Sequence, residues 1–314
     1  MKNKFGKLIP FLGLIILLLL FTFTSGDKFW TRYNLLAIFN QTVLFMMGGL
    51  GMIFVVAQGS IDISQGSTLA ISATLTGLAV NAFGIWTIIP VVLLVGVAVG
   101  LFNGIAVSKF KVPSITSTLG LLIALRALVA LLTAGTVIYI PFELFSLTNF
   151  SVLFPIFLVL VIVMGYLFEY TKLGYYARAI GSNEIKANFT GVPVDRIKII
   201  SFVMSSVMAS IVGVFTLSRI GGVSAQMGNF YELEVLLALF AGGVPVAGGM
   251  ATRMYKLFIG SLVVGVLGNG LVLNNISGVL SQGIKGIVLI LVVFVTIYYR
   301  NKQLSGGQPA ESTA

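Results

Sequence analysis

Histidine and cysteine are both absent from the 314 residues. Without cysteine there is no disulfide and no thiol chemistry. Without histidine the commonest proton relay and metal ligand is gone. Charge is scarce as well: 9% of residues are Asp, Glu, Lys or Arg, against 58% hydrophobic and a mean hydropathy of +1.07. No soluble domain is this apolar with so few charges. No G-x-x-x-x-G-K-[ST] run occurs, so if ATP drives this protein another chain binds it. No paired-carboxylate, metal or nucleophile site stands out, which argues against an enzyme.

What is present is a series of long apolar runs. In lipid, backbone groups find partners only within helices or closed barrels, and no ten-residue alternation of the barrel kind appears. The reading is an all-α polytopic membrane protein. Apolar stretches cover about 8–23, 35–57, 67–83, 87–107, 114–134, 151–170, 199–218, 233–250, 257–275 and 283–299. That makes about ten spans in one transmembrane domain over residues 1–302, followed by a polar, disordered tail at 303–314. The first run could pass for a cleaved signal peptide; a retained helix with a cytoplasmic N-terminus is preferred because many spans follow.

Charge placement tests this layout. Both termini inside puts fourteen of the 19 cations on the inner side and only Lys28, Arg32 and Arg219 on the outer side. The net charge of +10 therefore reflects topology rather than a nucleic-acid partner. The positive bias and the apolar runs make membrane lipid the surrounding partner. Asn103-Gly104 in the fourth span and Asn269-Gly270 in the ninth lie five spans apart, which hints at an inverted repeat.

The longest polar interval, 171–198, separates the sixth span from the seventh. Gly181 breaks the chain, Ser182 N-caps a short helix, and Glu184 sits in its first turn. Gly191 offers a left-handed C-terminal position, with Pro193 beyond it. This two-turn helix either pushes on a soluble partner or lies on anionic headgroups.

Two glycine-rich stretches suit a pathway. Gln58-Gly-Ser-Ile-Asp62-Ile-Ser64-Gln-Gly-Ser67 joins the second and third spans. It suggests a broken helix or re-entrant turn near the inner face, or a plain N-cap from Ser60 or Asp62. The eighth span then reaches Ala241-Gly242-Gly243-Val-Pro245-Val-Ala-Gly-Gly249, which cannot be an ordinary helix. Glu232 and Glu234 open that span on the outer side. They either satisfy the helix dipole or face an extracellular partner. Gly96, Gly100 and Gly104 make a small face for close helix packing. Arg126, about 18 Å into the fifth span, needs a carboxylate, free carbonyls or outer water; a structural tie is the simpler account. Lys285 snorkels at the outer end of the last spans.

Several ordered motifs resemble the permease subunits of bacterial ATP-binding-cassette importers of the ribose/simple-sugar class, over about residues 35–299. GSIDISQGS at 59–67 is similar to that family's G-G-I-D-L-S-x-G-S. AIGSNEIKANFTGVPVDRIK resembles its loop segment, and YELEVLLALFAGGVPVAGG its Y-E-L-x-A-I-A-A-x-x-x-G-G-x-S-x-x-G-G segment. Ser60, Gln65 and Val244-Pro245 depart from those patterns.

The resemblance implies a bacterial plasma-membrane importer with an architecture like that of the cobalamin permeases. Two permease subunits, identical or similar, form the path. Separate ATP-binding subunits dock below and an extracytoplasmic binding protein delivers a sugar above. The chain itself binds no cofactor. Ser182, Asn183, Glu184, Lys186, Ala187, Gly191 and Val192 become the ATPase-coupling residues. Gln58, Asp62, Ser64, Gly242, Gly243 and Pro245 become the pathway and gate, and Glu232 and Glu234 the binding-protein side. The competing class is an ion-coupled secondary transporter that uses Asp62.

Overall fold

The computed structural model describes residues 5–305, with side chains from 11 to 298. The helices are α1 (Phe5–Ser25), α2 (Arg32–Ala57), α3 (Gln65–Phe83), α4 (Ile88–Ser108), α5 (Ser114–Thr133), α6 (Phe150–Tyr170), α7 (Lys172–Ser182), α8 (Glu184–Phe189), α9 (Val194–Ile220), α10 (Tyr231–Ala241), α11 (Met254–Leu273) and α12 (Gly278–Ser305). Among the described residues, nine helices are long and apolar enough to cross a membrane. The protein is a multi-pass membrane protein.

The eighth of the ten expected spans, 233–250, is instead the 11-residue helix α10, which stops at Ala241. Gly243, Gly248 and Gly249 then take left-handed φ of +86°, +69° and +91°, so the chain leaves the helix where the glycines allow it. α12 continues to Ser305, into the stretch expected to be a disordered tail. The rest of that expectation, 306–314, lies outside the described residues, as do Lys2 and Lys4.

Burial sorts the helices into a core and a rim. Helices α2, α3, α9 and α11 are mostly buried, whereas α1, α5, α6 and α12 present apolar faces outward. In lipid, apolar surface alone does not drive helices together, so close backbone approach must. The small face of α4 provides it. A methyl on Gly96 would come within 2.6 Å of Val207 Cα, and one on Gly104 within 2.8 Å of Ile199 Cα. Gly100 meets Val203 in the same register. Helices α4 and α9 are thus antiparallel and nearly in backbone contact.

The inverted repeat hinted at by the two Asn-Gly pairs appears in the packing. α4 packs on α9 as α11 packs on α2; α3 packs on α9 as α10 packs on α2. The units 32–133 and 194–305 therefore correspond with opposite sense across the membrane, and α2 against α9 forms the centre.

Each unit contains a re-entrant arm. After α2 ends at the inner side, residues 58–64 climb back non-helically and α3 starts at Gln65. Gln65 Nε2 donates to the Gly48 carbonyl (3.2 Å) and to Ser205 Oγ (2.9 Å). Ser205 lies ten residues along α9 from Asp195, which pairs with Lys111 at the inner end. Ten residues are about 15 Å, half of a hydrocarbon core of about 30 Å. Asp62 and Gln65 therefore sit near mid-depth, deeper than the inner-face position expected of them.

The second arm, 221–230, descends from the outer end of α9. Its start is pinned by a two-residue antiparallel pairing of Ile138–Tyr139 with Gly222–Val223. α10 then begins at Tyr231, whose hydroxyl donates to the Leu44 carbonyl (2.8 Å), again near mid-depth on α2. The two arms meet where a methyl on Gly228 would lie 2.6 Å from the Gly66 carbonyl. Two helix N-termini thus converge from opposite sides of the membrane.

Candidate functional site: the convergence of the two arms and the inner loop

Asp62 is fully buried on the first arm. Its Oδ1 accepts from the Ser64 amide (3.0 Å) and hydroxyl (2.6 Å), and its Oδ2 accepts from Ser205 Oγ (2.7 Å). It closes the re-entrant turn ahead of α3; the N-cap of that helix is Ser64, not the Ser60 or Asp62 expected, because the chain enters the helix only after the turn. Ser64 Oγ also accepts from Asn103 Nδ2 (3.0 Å), and Asn103 Oδ1 accepts from Ser117 Oγ (3.0 Å). One hydrogen-bonded chain ties the arm to α4, α5 and α9. Ser205, Asn103 and Ser117 were not singled out from the sequence as partners of Asp62, although Asn103 had drawn notice as half of a repeat. Gln65, a departure from the sugar-permease pattern, donates into the same network.

Arg126 reaches the second arm. Its Nη1 donates to the Met227 carbonyl and its Nη2 to the Gly228 carbonyl (2.6 Å). Of the partners open to it, free carbonyls ahead of a helix are the ones used. Glu232 is buried in the first turn of α10, beside Gly66, and its Oε2 has no hydrogen-bond partner. Glu234 is paired with Lys285. Neither acid is a free outward carboxylate, because the second arm carries the start of α10 down into the membrane. Lys285 likewise binds an acid rather than snorkelling.

The inner side is built from three segments. Gln58 is buried with neither side-chain polar atom bonded. Just below it the Ala57 carbonyl accepts from the Gly249 amide (2.8 Å). Gly242 lies against the Lys256 carbonyl, Lys256 Nζ donates to the Gly243 carbonyl (2.8 Å), and the Pro245 carbonyl accepts from the Gly248 amide (2.9 Å). Gly242, Gly243 and Pro245 thus form an inner loop under the end of α2. The same loop does not meet Asp62 and Ser64, which sit deeper; what joins the two is Gly59, packed on Ala247 and Gly248.

The polar interval 171–198 contains two helices rather than one. Gly181 continues α7 and is pressed on the Ala57 carbonyl, with no room for a side chain. Ser182 ends α7, where its Oγ accepts from the Met250 amide (3.2 Å). The N-cap is Asn183, whose Oδ1 accepts from the Lys186 amide (2.9 Å). An asparagine caps as well as a serine, and here the extended residue is Asn183. Helix α8 therefore spans 184–189. Gly191 has φ +82° as expected, and the Val192 amide returns to the Ala187 carbonyl (3.1 Å). Lys198 pairs with Glu184 at 2.7 Å and fastens α8 to α9. Ile185 and Phe189, four apart on α8, are 70% and 86% exposed. They border an open depression of about 650 Å³ that Lys111, Glu184, Asp195 and Arg196 also line.

Glu169 escaped attention because it falls inside an apolar run. It accepts from Arg178 Nη1 (3.1 Å), Arg253 Nη1 (3.1 Å) and the Met254 amide (2.7 Å). Buried Arg178 also covers the Phe168 ring, 4.9 Å from its centroid. One carboxylate thus joins α6, α7 and the start of α11. A lone acid one residue from the end of a span, next to a cationic loop, was the signal available.

Two re-entrant arms whose helix N-termini converge inside a helical membrane protein, over a structured inner loop, suit a permease-type transport subunit. The chain belongs to the family described as "Branched-chain amino acid transport system / permease component", which it matches over residues 34–293. It is 31% identical over 299 residues to the ribose import permease protein RbsC of Escherichia coli K12, covering 90% of this chain and 92% of that one. The RbsC of Haemophilus influenzae is 31% identical over 305 residues, covering 94% of each chain. The autoinducer 2 import system permease protein LsrC of Yersinia pseudotuberculosis (serotype O:1b) is 33% identical over 264 residues, covering 82% of this chain and 75% of that one. No solved structure matches significantly.

Proposed function

We propose that this chain is the transmembrane subunit of an ATP-driven, binding-protein-dependent importer that moves a sugar or a similar small polar solute inward. Two copies, or this chain and a similar one, form the path, and the ATP is bound and hydrolysed on separate subunits. The observation that carries the reading is α8. It is capped at both ends, salt-bridged to a membrane-spanning helix, and carries an exposed Ile185–Phe189 pair beside charges of both signs. A helix lying on anionic headgroups would show cations alone around its apolar face. Mixed charge around an apolar knob suits a protein socket, and the Lys198–Glu184 pair transmits a push on α8 into α9.

Residues 182–192 are the coupling segment in this reading. The arms at 58–67 and 221–230 and the inner loop at 242–249 are the parts that alternate access. The ion-coupled alternative is weakened at Asp62: both its oxygens already accept hydrogen bonds from protein donors. Phe189→Glu puts a carboxylate into the socket. We expect it to abolish co-purification of the ATP-binding subunit from detergent extracts while leaving the yield of this chain unchanged. Retention of that subunit in Phe189→Glu would sink the coupling assignment.

A further inference from the structure

The second arm borders an outer depression of about 500 Å³, within the range of about 300–1,000 Å³ usual for small-molecule sites. Its wall carries Ser224, Gln226 and Asn229 from the arm and Gln282 from α12. Of the described residues that line it, none is charged. In a chain with 19 cations, four neutral hydrogen-bonding side chains around one depression are a chemical statement. Amides and hydroxyls each both donate and accept. They match a ligand whose groups do the same, and they offer nothing to balance a carboxylate, phosphate or ammonium.

Two further features shape this place. Phe230 lines the depression, half exposed, with φ +63°. A bulky residue is strained in that region, where the neighbouring Asn229 would sit more easily. That left-handed backbone places Phe230 at the rim. Beneath, Arg126 grips the carbonyls of Met227 and Gly228, so the floor is fixed from below by a charge that itself stays out of the wall. Polar groups on a fixed loop with one aromatic face describe a preorganised site.

We propose that this depression is the outer substrate subsite of the permease, and that it takes a neutral polyhydroxylated solute of monosaccharide size. Ser224, Gln226, Asn229 and Gln282 bind its hydroxyls, and Phe230 packs on the apolar face of its ring. The inference rests on the importer reading above and adds the place and the ligand chemistry. Release of the floor by Arg126, or parting of Gly66 from Gly228, then opens the way down between α3 and α10.

The natural absence of cysteine makes the test clean. Ser224→Cys, nearly isosteric, and Glu143→Cys, an exposed control on the outer side, are each the sole thiol of the chain. Each is expressed with the ATP-binding subunit and binding protein in right-side-out vesicles. Uptake of radiolabelled D-ribose, D-xylose, D-glucose and myo-inositol is measured first. Alkylation by a membrane-impermeant maleimide is then timed with and without the solute taken up. The expected result is several-fold slower alkylation of Ser224→Cys under solute and no change at Glu143→Cys. Equal rates at Ser224→Cys with normal uptake overturn the subsite and leave the importer reading standing. So does a thiol unreactive in both conditions, which would mean another chain covers this face. No uptake of any of the four solutes overturns a monosaccharide as the ligand of this subsite. As a second check, Phe230→Gly, which relieves the backbone strain and removes the ring, should cut uptake about tenfold, equal to about 1.4 kcal/mol of lost interaction. Phe230→Trp should retain uptake, and unchanged uptake in Phe230→Gly contradicts the role of the ring.

Discussion

At the scale of single residues, the account turns on positions where one atom decides. Gly66 is the sharpest. Alanine in a helix is ordinarily better than glycine by about 1 kcal/mol. Here the added methyl would run into Glu232 Oε2 and the Gly228 carbonyl. Backbone cannot swing aside as a flexible side chain can, so the clash wins. Gly66→Ala should lose monodisperse protein on size-exclusion chromatography. Gly120→Ala, with nothing within 4 Å of the new methyl, should elute like the native chain or gain slightly in melting temperature. Equal behaviour of the two variants would mean the two arms do not meet where described. The small face of α4 was legible in the sequence because glycines four apart have one meaning in lipid. The close approach at Gly66 was not, since its partner lies on the other re-entrant arm and no spacing reveals that.

Elements show the same division. The nine long helices follow from unbroken apolar runs, and their orientation follows from the cations. The end of α10 was legible in part: Gly242-Gly243 and Pro245 marked 241–249 as no ordinary helix, whereas the apolar run, which measures composition alone, carried the expected span on to 250. In the 171–198 interval, glycine at 181 and serine at 182 looked like a boundary. Packing overrode that, because α7 needs a small residue where it crosses Ala57. Ion pairs differ by burial in the same region. Glu169 holds Arg178, whose side chain is only 4% exposed, while Lys111 and Asp195 are 64% and 50% exposed. Removing the partner of a buried charge costs about 3 kcal/mol or more, whereas an exposed pair is worth about 0–1 kcal/mol. Glu169→Ala should therefore lower the denaturation midpoint sharply in detergent, and Lys111→Ala should barely move it. A small effect of Glu169→Ala would remove the brace between α6, α7 and α11 from the account.

For the whole molecule, the inverted units explain why the two arms face each other. α2 and α9 run in opposite senses through the centre, and each is followed by an arm that turns back to mid-depth before its helix starts. Two of the candidate pathway's parts were readable as glycine-rich stretches at 58–67 and 241–249, the arm at 221–230 was not, and Asp62 and Arg126 stood out as charges in apolar surroundings. Their partners Ser205, Asn103 and the Met227–Gly228 carbonyls come from distant segments, and only the fold brings them together. In the proposed reading the work divides by depth: recognition above the meeting of the arms, the Asp62 hydrogen-bond network at it, and coupling through α8 below.

The most direct test of that division is the energy source for uptake. The complex of this chain with its ATP-binding subunits is reconstituted in proteoliposomes with loaded binding protein, and sugar accumulation is followed under two conditions. The account predicts accumulation with ATP on the coupling side and no imposed ion gradient, and its loss in Phe189→Glu. Accumulation by the chain alone, driven by a proton or sodium gradient and abolished in Asp62→Asn, would contradict it.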